Sequence, residues 1–277
     1  MMIPIINRFT CSPKQLNFFI KNLKSKNFVP ILDYANENFK NFDNNYNKMN
    51  QLISNYPNNL IALKLSSLNV KNDFDYSLKK ADKLINKAII NNSKILIDAE
   101  DYEIQDDIYK ISNILLEKYN KSEVNVYKTY QMYRNDTLPI LINDLNNKNF
   151  YLGCKLVRGA YYNQDFKYGI LFNKIEETHQ NYDQGIKKFI ELNKDNDKLL
   201  CATHNFNSVD LAISLDNTNN RIEYAQLMGM SDNLSNYIIQ NDKIVYKYLP
   251  YGNFNETLPY LIRRLYENYP MIVNIFK

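Results

Sequence analysis

Polar and charged side chains recur along this chain where short apolar segments end. Ten residues stand at such ends: Asp33, Lys64, Asp98, Glu100, Gln131, Arg158, His204, Asn205, Gln226 and Tyr248. Charged groups of this kind are costly to bury without partners, so their recurrence predicts a shared, lined cavity. For any one of them, capping the segment at the solvent edge remains an alternative. Together they supply carboxylates, cations and an imidazole to that cavity.

Cysteine, histidine and glycine are scarce, which excludes several common kinds of site. The three cysteines, Cys11, Cys154 and Cys201, form no CxxC pair, and only two histidines exist. A disulfide framework and a Cys/His zinc site are therefore not expected. The six glycines form neither GxGxxG nor GxxxxGK[ST], which disfavours a Rossmann dinucleotide site and a P-loop. We predict no metal site.

Charge and hydropathy narrow the class of protein further. The chain has 34 basic and 30 acidic residues, a net charge of +4, and its lysines are scattered, so nucleic-acid binding is not expected. No apolar run approaches the roughly 20 residues of a membrane-spanning helix. Residues 1–24 lack a clean apolar signal core and are at most a weak organelle-targeting segment.

Eight apolar runs of four to eight residues alternate with segments of helical periodicity, which is typical of a parallel sheet. Eight strand–helix units in about 250 residues predict an α/β protein with a (β/α)₈ barrel, and a doubly wound open sheet is the alternative. Ser12-Pro13 favours a short N-terminal helix. We expect one domain over 1–277, with a helical arm at 1–28 and the barrel at 29–277.

The apolar runs and helical segments also predict the bounds of individual elements. The predicted strands are 29–34, 60–65, 94–99, 124–130, 151–157, 198–203, 222–227 and 243–249. The predicted helices are 77–90, 106–119, 137–145, 179–192, 208–215 and 256–266. The Asn-rich patches at 44–45, 58–59 and 219–220 are interpreted as loops.

In such a barrel the functional site lies at the carboxyl ends of the strands, where the polar residues stand. Several of these segments resemble the proline dehydrogenase family, in order, from about residue 29 to about residue 268. The matching segments are 60–66 (LIALKLS), 96–100 (LIDAE), 155–161 (KLVRGAY), 201–205 (CATHN), 246–252 (YKYLPYG) and 258–268 (LPYLIRRLYEN). The Tyr-Gly at 251–252 looks closer to the eukaryotic single-function enzymes than to the bifunctional bacterial ones.

The resemblance implies an enzyme with non-covalently bound FAD that oxidises L-proline to Δ1-pyrroline-5-carboxylate and passes electrons to a membrane quinone. Three alternatives stay open: a hydroxyproline dehydrogenase, a catalytically silent flavin-binding barrel, and an unrelated barrel lyase. The resemblance also suggests a mitochondrial or membrane-peripheral location, although a cytoplasmic one is possible without a clear transit peptide. The oligomeric state is left open.

The substrate residues that the resemblance implies are Lys64, Asp98, Leu156, Tyr248, Tyr260, Arg263 and Arg264. Arg263 and Arg264 would grip the substrate carboxylate, because guanidinium groups bind carboxylates bidentately, and Lys64 would add a third cation. The alternatives are a solvated helix face for the arginines and an ion pair with Asp98 for Lys64. Asp98 and Glu100, two apart on one strand, are expected to point to the same side. Tyr248 and Tyr260 would line the proline pocket, and Leu156 would form an apolar wall beside the ring.

The flavin residues that it implies are Gln131, Lys155, Arg158, Gly159, Ala160, Tyr162, His204, Asn205 and Glu267. Lys155 and Arg158 would place positive charge beside the flavin ring and the pyrophosphate. Gly159 would allow the backbone to approach the cofactor closely. The chain departs from bacterial relatives at Lys128, Lys155 and Tyr162, and we expect these differences to change flavin potential and affinity rather than the reaction class.

Overall fold

Eight parallel strands close into a barrel in the order β1 to β8, which confirms the predicted (β/α)₈ fold. The structure is a computed structural model that describes residues 8–36, 41–216 and 221–267. The strands are β1 (Phe28–Tyr34), β2 (Leu60–Leu63), β3 (Lys94–Ile97), β4 (Val126–Gln131), β5 (Gly153–Val157), β6 (Lys198–Ala202), β7 (Ile222–Leu227) and β8 (Val245–Tyr251).

Each strand turns alternate side chains toward the helices and toward the barrel axis. On β2, Ile61 packs in the large core between strands and helices, whereas Ala62 belongs to a smaller apolar cluster with Ile31 and Leu96. This smaller cluster fills the barrel below the carboxyl ends of its strands. Because both faces of the strands are covered, most strand positions are apolar. Charged side chains also occur elsewhere on the strands, as at Glu223 near the start of β7, where it is buried against Tyr127.

Helices connect successive strands. They are α1 (Leu16–Ser25), α2 (Phe42–Asn55), α3 (Phe74–Ile90), α4 (Tyr102–Tyr119), α5 (Thr137–Asn147), α6 (Tyr162–Asp165), α7 (Ile175–Leu192), α8 (Phe206–Leu215), α9 (Asp232–Gln240) and α10 (Phe254–Glu267), with 3₁₀ turns at Leu65–Leu68 and Phe166–Tyr168. Asp73 and Asn205 cap α3 and α8 by accepting a backbone N–H, so each helix begins at a defined point just past the barrel mouth.

Several local expectations change in the structure. The first helix begins at Leu16 rather than at Ser12, because Ser12 and Gln15 bind each other in a preceding turn. Helices α2, α6 and α9 were not among the predicted helices. The patch at 44–45 is helical and not a loop, since Asn45 is buried in α2 and donates to Asn36. The patch at 58–59 lies in a turn, with Asn58 at a positive φ, and the patch at 219–220 lies outside the described residues.

The N-terminal arm is attached to the barrel mouth. Thr10 donates from its hydroxyl to the carbonyl of Pro250 at 2.8 Å, and Cys11 pairs in parallel with Tyr251. Arg8 Nε donates to the carbonyl of Gly229, beyond the end of β7, at 3.0 Å. The chain then descends through α1, which buries three apolar side chains and contacts β1. We call residues 8–11 the mouth strap.

Within the described residues, no helix is long and apolar enough to cross a membrane. The described part also contains no group of three or more His, Cys, Asp or Glu side chains placed to hold a metal ion.

Candidate active site

A cavity of about 180 Å³ lies at the carboxyl ends of the strands. Nine of the predicted site residues line it: Lys64, Asp98, Gln131, Lys155, Arg158, Gly159, Ala160, His204 and Tyr248. They come from β2, β3, β4, β5, β6 and β8 or from the residues that directly follow these strands. The barrel therefore gathers groups that are up to 184 positions apart in the sequence, from Lys64 to Tyr248.

Alternating charges run across the cavity in one connected row. Lys64 Nζ lies 2.5 Å from Asp33 Oδ1 and 3.4 Å from Asp98 Oδ2. Asp98 Oδ1 accepts from Lys155 Nζ at 2.7 Å and from the Tyr248 hydroxyl at 3.2 Å. Lys155 also donates to the Tyr248 hydroxyl. We call these five residues the charge row.

The charge row is well shielded from solvent, so its interactions are stronger than those of surface pairs. The side chain of Lys155 is 6% exposed and that of Asp98 is 13% exposed. The Lys155 amine also lies 4.7 Å from the centre of the Tyr248 ring. Asp98 thus contacts two ammonium groups at the cavity wall. The proposed pairing of Lys64 with Asp98 is present, but the closer partner of Lys64 is Asp33.

Arg158 is fixed at the cavity wall by three side chains. Its Nε donates to His179 Nδ1 at 2.8 Å, Nη1 to the Thr203 hydroxyl at 2.5 Å and Nη2 to the Ser208 hydroxyl at 2.9 Å. The guanidinium carbon lies 4.5 Å from the centre of the Tyr182 ring. Burial lowers the pKa of Arg158, yet an arginine stays charged at any working pH.

His204 and Asn205 follow β6 but have different surroundings. His204 lines the cavity, its Nε2 accepts from the backbone N–H of Leu227 at 3.2 Å, and its Nδ1 lies 3.1 Å from the Ser231 hydroxyl. The Nδ1 atom therefore carries the proton of the neutral ring. Asn205 does not line the cavity, because its side-chain oxygen caps α8 by accepting from Ser208 N–H.

Gly159 has a structural requirement of its own. Its φ is +135°, and a Cβ placed there would lie 2.4 Å from the ring of Tyr133. Both the backbone conformation and this contact demand glycine, whatever occupies the cavity. We expected Gly159 to allow the backbone to approach a cofactor closely. In the structure the group that lies close to Gly159 is the ring of Tyr133.

Three residues singled out from the sequence do not line this cavity. Leu156 is not a cavity wall: it is fully buried on the outer face of β5, against α7, because Lys155 and Val157 on either side point inward. Tyr162 does not line the cavity; it is 49% exposed on α6, and its ring pairs with that of Phe166. Lys128 also faces outward, where it donates to Asp144 at 2.6 Å.

Asp98 and Glu100 do not share one environment. Strand β3 ends at Ile97, so the strict alternation of sides does not extend to Glu100. Glu100 lines a second cavity of about 400 Å³ and accepts from the backbone N–H of Ser66 at 2.9 Å and from the Ser66 hydroxyl. Burial raises the pKa of Glu100 to about 7, although the Ser66 hydrogen bonds oppose the shift.

Four predicted residues cannot be placed. The side chains of Tyr260, Arg263, Arg264 and Glu267 lie outside the described part of the structure, although the backbone of α10 extends through them.

Several site residues carried no predicted role. Asp33 was recognised only as a polar strand end, and Tyr161 only as the last letter of KLVRGAY, yet Tyr161 lines both cavities together with Lys64. Thr203 lies within the segment 201–205 (CATHN), just as Tyr161 lies within 155–161 (KLVRGAY), and neither residue was given a role. His179 had no sequence signal, because it lies inside a helix and reaches the site only through Arg158.

Comparison with known proteins gives consistent matches. The family model described as proline dehydrogenase matches residues 19–271. A relative named proline dehydrogenase 1, mitochondrial, from Dictyostelium discoideum is 31% identical over 80% of this chain and 47% of its own length. One named hydroxyproline dehydrogenase, from Xenopus laevis, is 30% identical over 73% of this chain and 47% of its own length. The chain thus spans about half the length of these curated relatives.

Among solved structures, proline utilization A from Bdellovibrio bacteriovorus superposes with a TM-score of 0.85 at 17% identity, over 96% of this chain and 33% of that one. The protein of the same name from Corynebacterium freiburgense gives a TM-score of 0.82 at 18% identity, over 96% of this chain and 31% of that one. At these identities the likeness shows the shared barrel fold. The sequence match over 19–271 goes further, and with the closed barrel and its charged mouth it shows that the chain belongs to the proline dehydrogenase family.

Proposed function

We propose that this chain oxidises L-proline to Δ1-pyrroline-5-carboxylate with non-covalently bound FAD. The observation that carries the proposal is the charge row, which places two ammonium groups and the Tyr248 ring in one small cavity at the barrel mouth. Proline offers a carboxylate to the cations and an apolar ring to the aromatic face. Relatives that are named for this reaction support the same substrate.

The donors at the cavity fit a flavin nucleotide. Arg158, Lys155, His204 and Gln131 supply two cations, an imidazole and an amide around one opening. The adjoining cavity of about 400 Å³, which shares Lys64 and Tyr161, gives room for a ligand larger than proline. When bound, FAD would supply the chemistry that accepts a hydride equivalent from the substrate carbon. Arg158 would hold its diphosphate, and Lys155 would place positive charge near its ring.

The side chains of the chain do the positioning. Lys64 would bind the substrate carboxylate together with Arg263 and Arg264, and Asp98 would keep Lys64 and Lys155 apart at a fixed spacing. Hydride removal requires the neutral substrate amine, which needs no pair of catalytic carboxylates. Tyr248 would pack against the proline ring, with its hydroxyl held by Asp98.

Hydroxyproline oxidation is the second candidate, because one of the relatives carries that name. The position of Tyr248 favours proline. Its hydroxyl is already bonded to Asp98 and Lys155, so an added hydroxyl on the substrate ring would meet the aromatic face without a ready partner.

The electron acceptor and the compartment are also part of the proposal. A membrane quinone as acceptor follows from the family resemblance, and a mitochondrial location is supported by the names of several relatives.

The visible spectrum of the purified chain, before and after anaerobic addition of L-proline, tests the proposed function. We expect flavin absorbance that bleaches with L-proline and bleaches more slowly with trans-4-hydroxy-L-proline. A protein that binds no added flavin would refute the cofactor assignment. A flavin that is bound but is not reduced by either amino acid would favour a silent barrel. Reoxidation by a short-chain quinone, compared with a soluble dye, examines the acceptor separately.

A further inference from the structure

Arg158 and His179 form a contact that none of the roles above uses. Arg158 follows β5, and His179 lies in the first half of α7. The Nε of Arg158 lies 2.8 Å from His179 Nδ1, so the imidazole forms the third of three anchors on the guanidinium, beside Thr203 and Ser208. His179 is therefore connected to the cavity wall through a charged group, although it does not line the cavity.

The direction of this hydrogen bond fixes the protonation state of His179. An arginine side chain has donors and no acceptor, so Nδ1 of His179 must be the acceptor and must carry no proton. The ring is then neutral, with its proton on Nε2. Burial lowers the pKa of His179, and the nearby Arg158 charge lowers it further, whereas Asp183 and Glu176 on α7 oppose the shift. From the β6 and α8 side, Arg158 donates to the hydroxyls of Thr203 and Ser208, and the buried thiol of Cys201 on β6 also lies near its charge.

The orientation of Arg158 matters because it has N–H groups left for a ligand. A guanidinium has five N–H bonds, and three are used by the contacts among the described residues. Two therefore remain for a group in the cavity that Arg158 lines. The oxidised flavin ring is neutral, so the permanent anion of FAD is its diphosphate, and planar guanidinium groups suit phosphate oxygens.

We propose that His179 is a positioning residue that aims Arg158 at the diphosphate of FAD and makes cofactor binding sensitive to acid. The inference rests on the proposed function, since it takes FAD as the cofactor. When His179 gains a proton, Nδ1 can no longer accept from Arg158, and two cations face each other. Affinity for FAD then falls as the pH drops through the pKa of His179 in the folded chain, which lies below the ordinary imidazole value of about 6.5.

Two substitutions separate this role from simple packing. His179→Leu removes the acceptor, whereas His179→Asn places an amide oxygen near the position of Nδ1 and cannot be protonated. Flavin affinity of the refolded apoprotein, measured by fluorescence quenching at pH 8 and pH 5.5, is the readout, with riboflavin as a matched ligand that lacks the diphosphate.

We expect His179→Leu to weaken FAD binding about ten- to a hundred-fold at pH 8, as for loss of one hydrogen bond to a charged group. His179→Asn should restore most of that affinity and should keep it in a pH series that continues below 5.5 until the affinity of the wild type falls. Riboflavin affinity should be the same in all three proteins. Circular dichroism and the melting temperature confirm that each variant is folded.

The chain has two histidines, so the imidazole NMR signal that both variants lose is that of His179. Its titration should show a pKa below the ordinary value, and addition of FAD should lower it again. If wild type and folded His179→Leu bind FAD equally, or if affinity losses for riboflavin match those for FAD, the inference is wrong while the proposed function stands. Failure of the wild type to bind any flavin would overturn both.

Discussion

At the scale of single residues, Asp98 is the group on which the cavity depends most. It is the anion between Lys64 and Lys155, at 3.4 Å and 2.7 Å. Asp98→Asn should remove the carboxylate that Lys155 contacts and leave Lys64 paired with Asp33 alone, so the spacing of the two ammonium groups should change. We expect kcat/KM for L-proline to fall about a hundred-fold, as for a displacement of binding groups by roughly 1 Å.

A matched control for this substitution is available on the outer face of the barrel. Asp144 accepts from Lys128 at 2.6 Å and has an 11% exposed side chain, so it forms a similar buried pair away from the cavity. Asp144→Asn should lower the melting temperature and change kcat/KM little. Equal kinetic losses in both variants would show that Asp98 acts through stability alone.

Tyr248 decides between two substrates. Tyr248→Ser opens space where the phenol stood and offers a small hydroxyl, so the preference for L-proline over trans-4-hydroxy-L-proline should narrow. The native preference should be about 5- to 150-fold in kcat/KM, which corresponds to about 1–3 kcal/mol. Tyr248→Phe keeps the ring and should keep the preference. An unchanged ratio in a folded, flavin-loaded Tyr248→Ser protein would remove Tyr248 from the specificity argument.

Glu100 gives stability a pH dependence of defined sign. Burial raises its pKa from 4.5 to about 7, so between these values the folded chain holds a proton that the unfolded chain has lost. The free energy of unfolding therefore falls as the pH rises through this window, by about 2–4 kcal/mol for this group. Glu100→Gln keeps an acceptor for the Ser66 N–H and should remove that part of the dependence. Urea unfolding of both proteins at pH 5 and pH 8 measures this pH dependence. An equal fall in the free energy of unfolding in wild type and Glu100→Gln would show that Glu100 is not its source.

At the scale of elements, Gly153 sets the spacing of β4 and β5. A Cβ at this position would lie 2.4 Å from the carbonyl oxygen of Val126 and 2.6 Å from Val124 Cγ1. Gly153→Ala should therefore push the strands apart and destabilise the barrel by about 1–3 kcal/mol or more. Gly169 has a φ of +66° with open space around it, so Gly169→Ala should cost only about 1 kcal/mol of backbone strain. Thermal melts of the two variants should rank in that order.

The pattern of apolar runs predicted where the strands lie better than it predicted which face of a strand each side chain occupies. The apolar runs located all eight strands, and the motif around Lys155 located the cavity. The same motif did not predict that Leu156 points outward. A family resemblance identifies matching residues, but the pleat of the strand decides which face each side chain occupies. The helix α2 was missed for another reason: its sequence is polar, and Asn45 is buried through hydrogen bonds that no propensity encodes.

The sequence did not predict contacts between residues that are far apart along the chain. His179 is 21 positions from Arg158, and Asp33 is 31 from Lys64. Asp33 meets Lys64 because β1 and β2 are neighbours in the sheet, and His179 meets Arg158 because α7 packs beside the end of β5. Nothing in either local sequence identifies the partner. Residues that stand in motifs at strand ends were therefore predictable, whereas the residues that hold them in place were not.

At the scale of the whole molecule, the cysteines bear on how a flavin is retained. Cys11, Cys154 and Cys201 are all buried, and burial raises the pKa of each thiol, to about 12 for Cys11. Such thiols are poor nucleophiles, so none is suited to attack a flavin methyl group. We expect acid precipitation of the holoprotein to release all of the yellow colour into the supernatant. Colour that stays in the washed pellet would contradict non-covalent binding.

The mouth strap has a practical consequence for spectroscopy. Arg8 lies at Gly229, just past the β7 strand that contributes Ala225 and Leu227 to the cavity wall, and the native thiols are all buried. An Arg8→Cys protein would thus offer one accessible thiol beside the opening. A fluorophore attached there would lie within energy-transfer range of a flavin in the barrel mouth, so its brightness would report cofactor loading and reduction in real time. Position 8 in the mouth strap would then serve as a labelling site for following flavin binding and reduction by fluorescence.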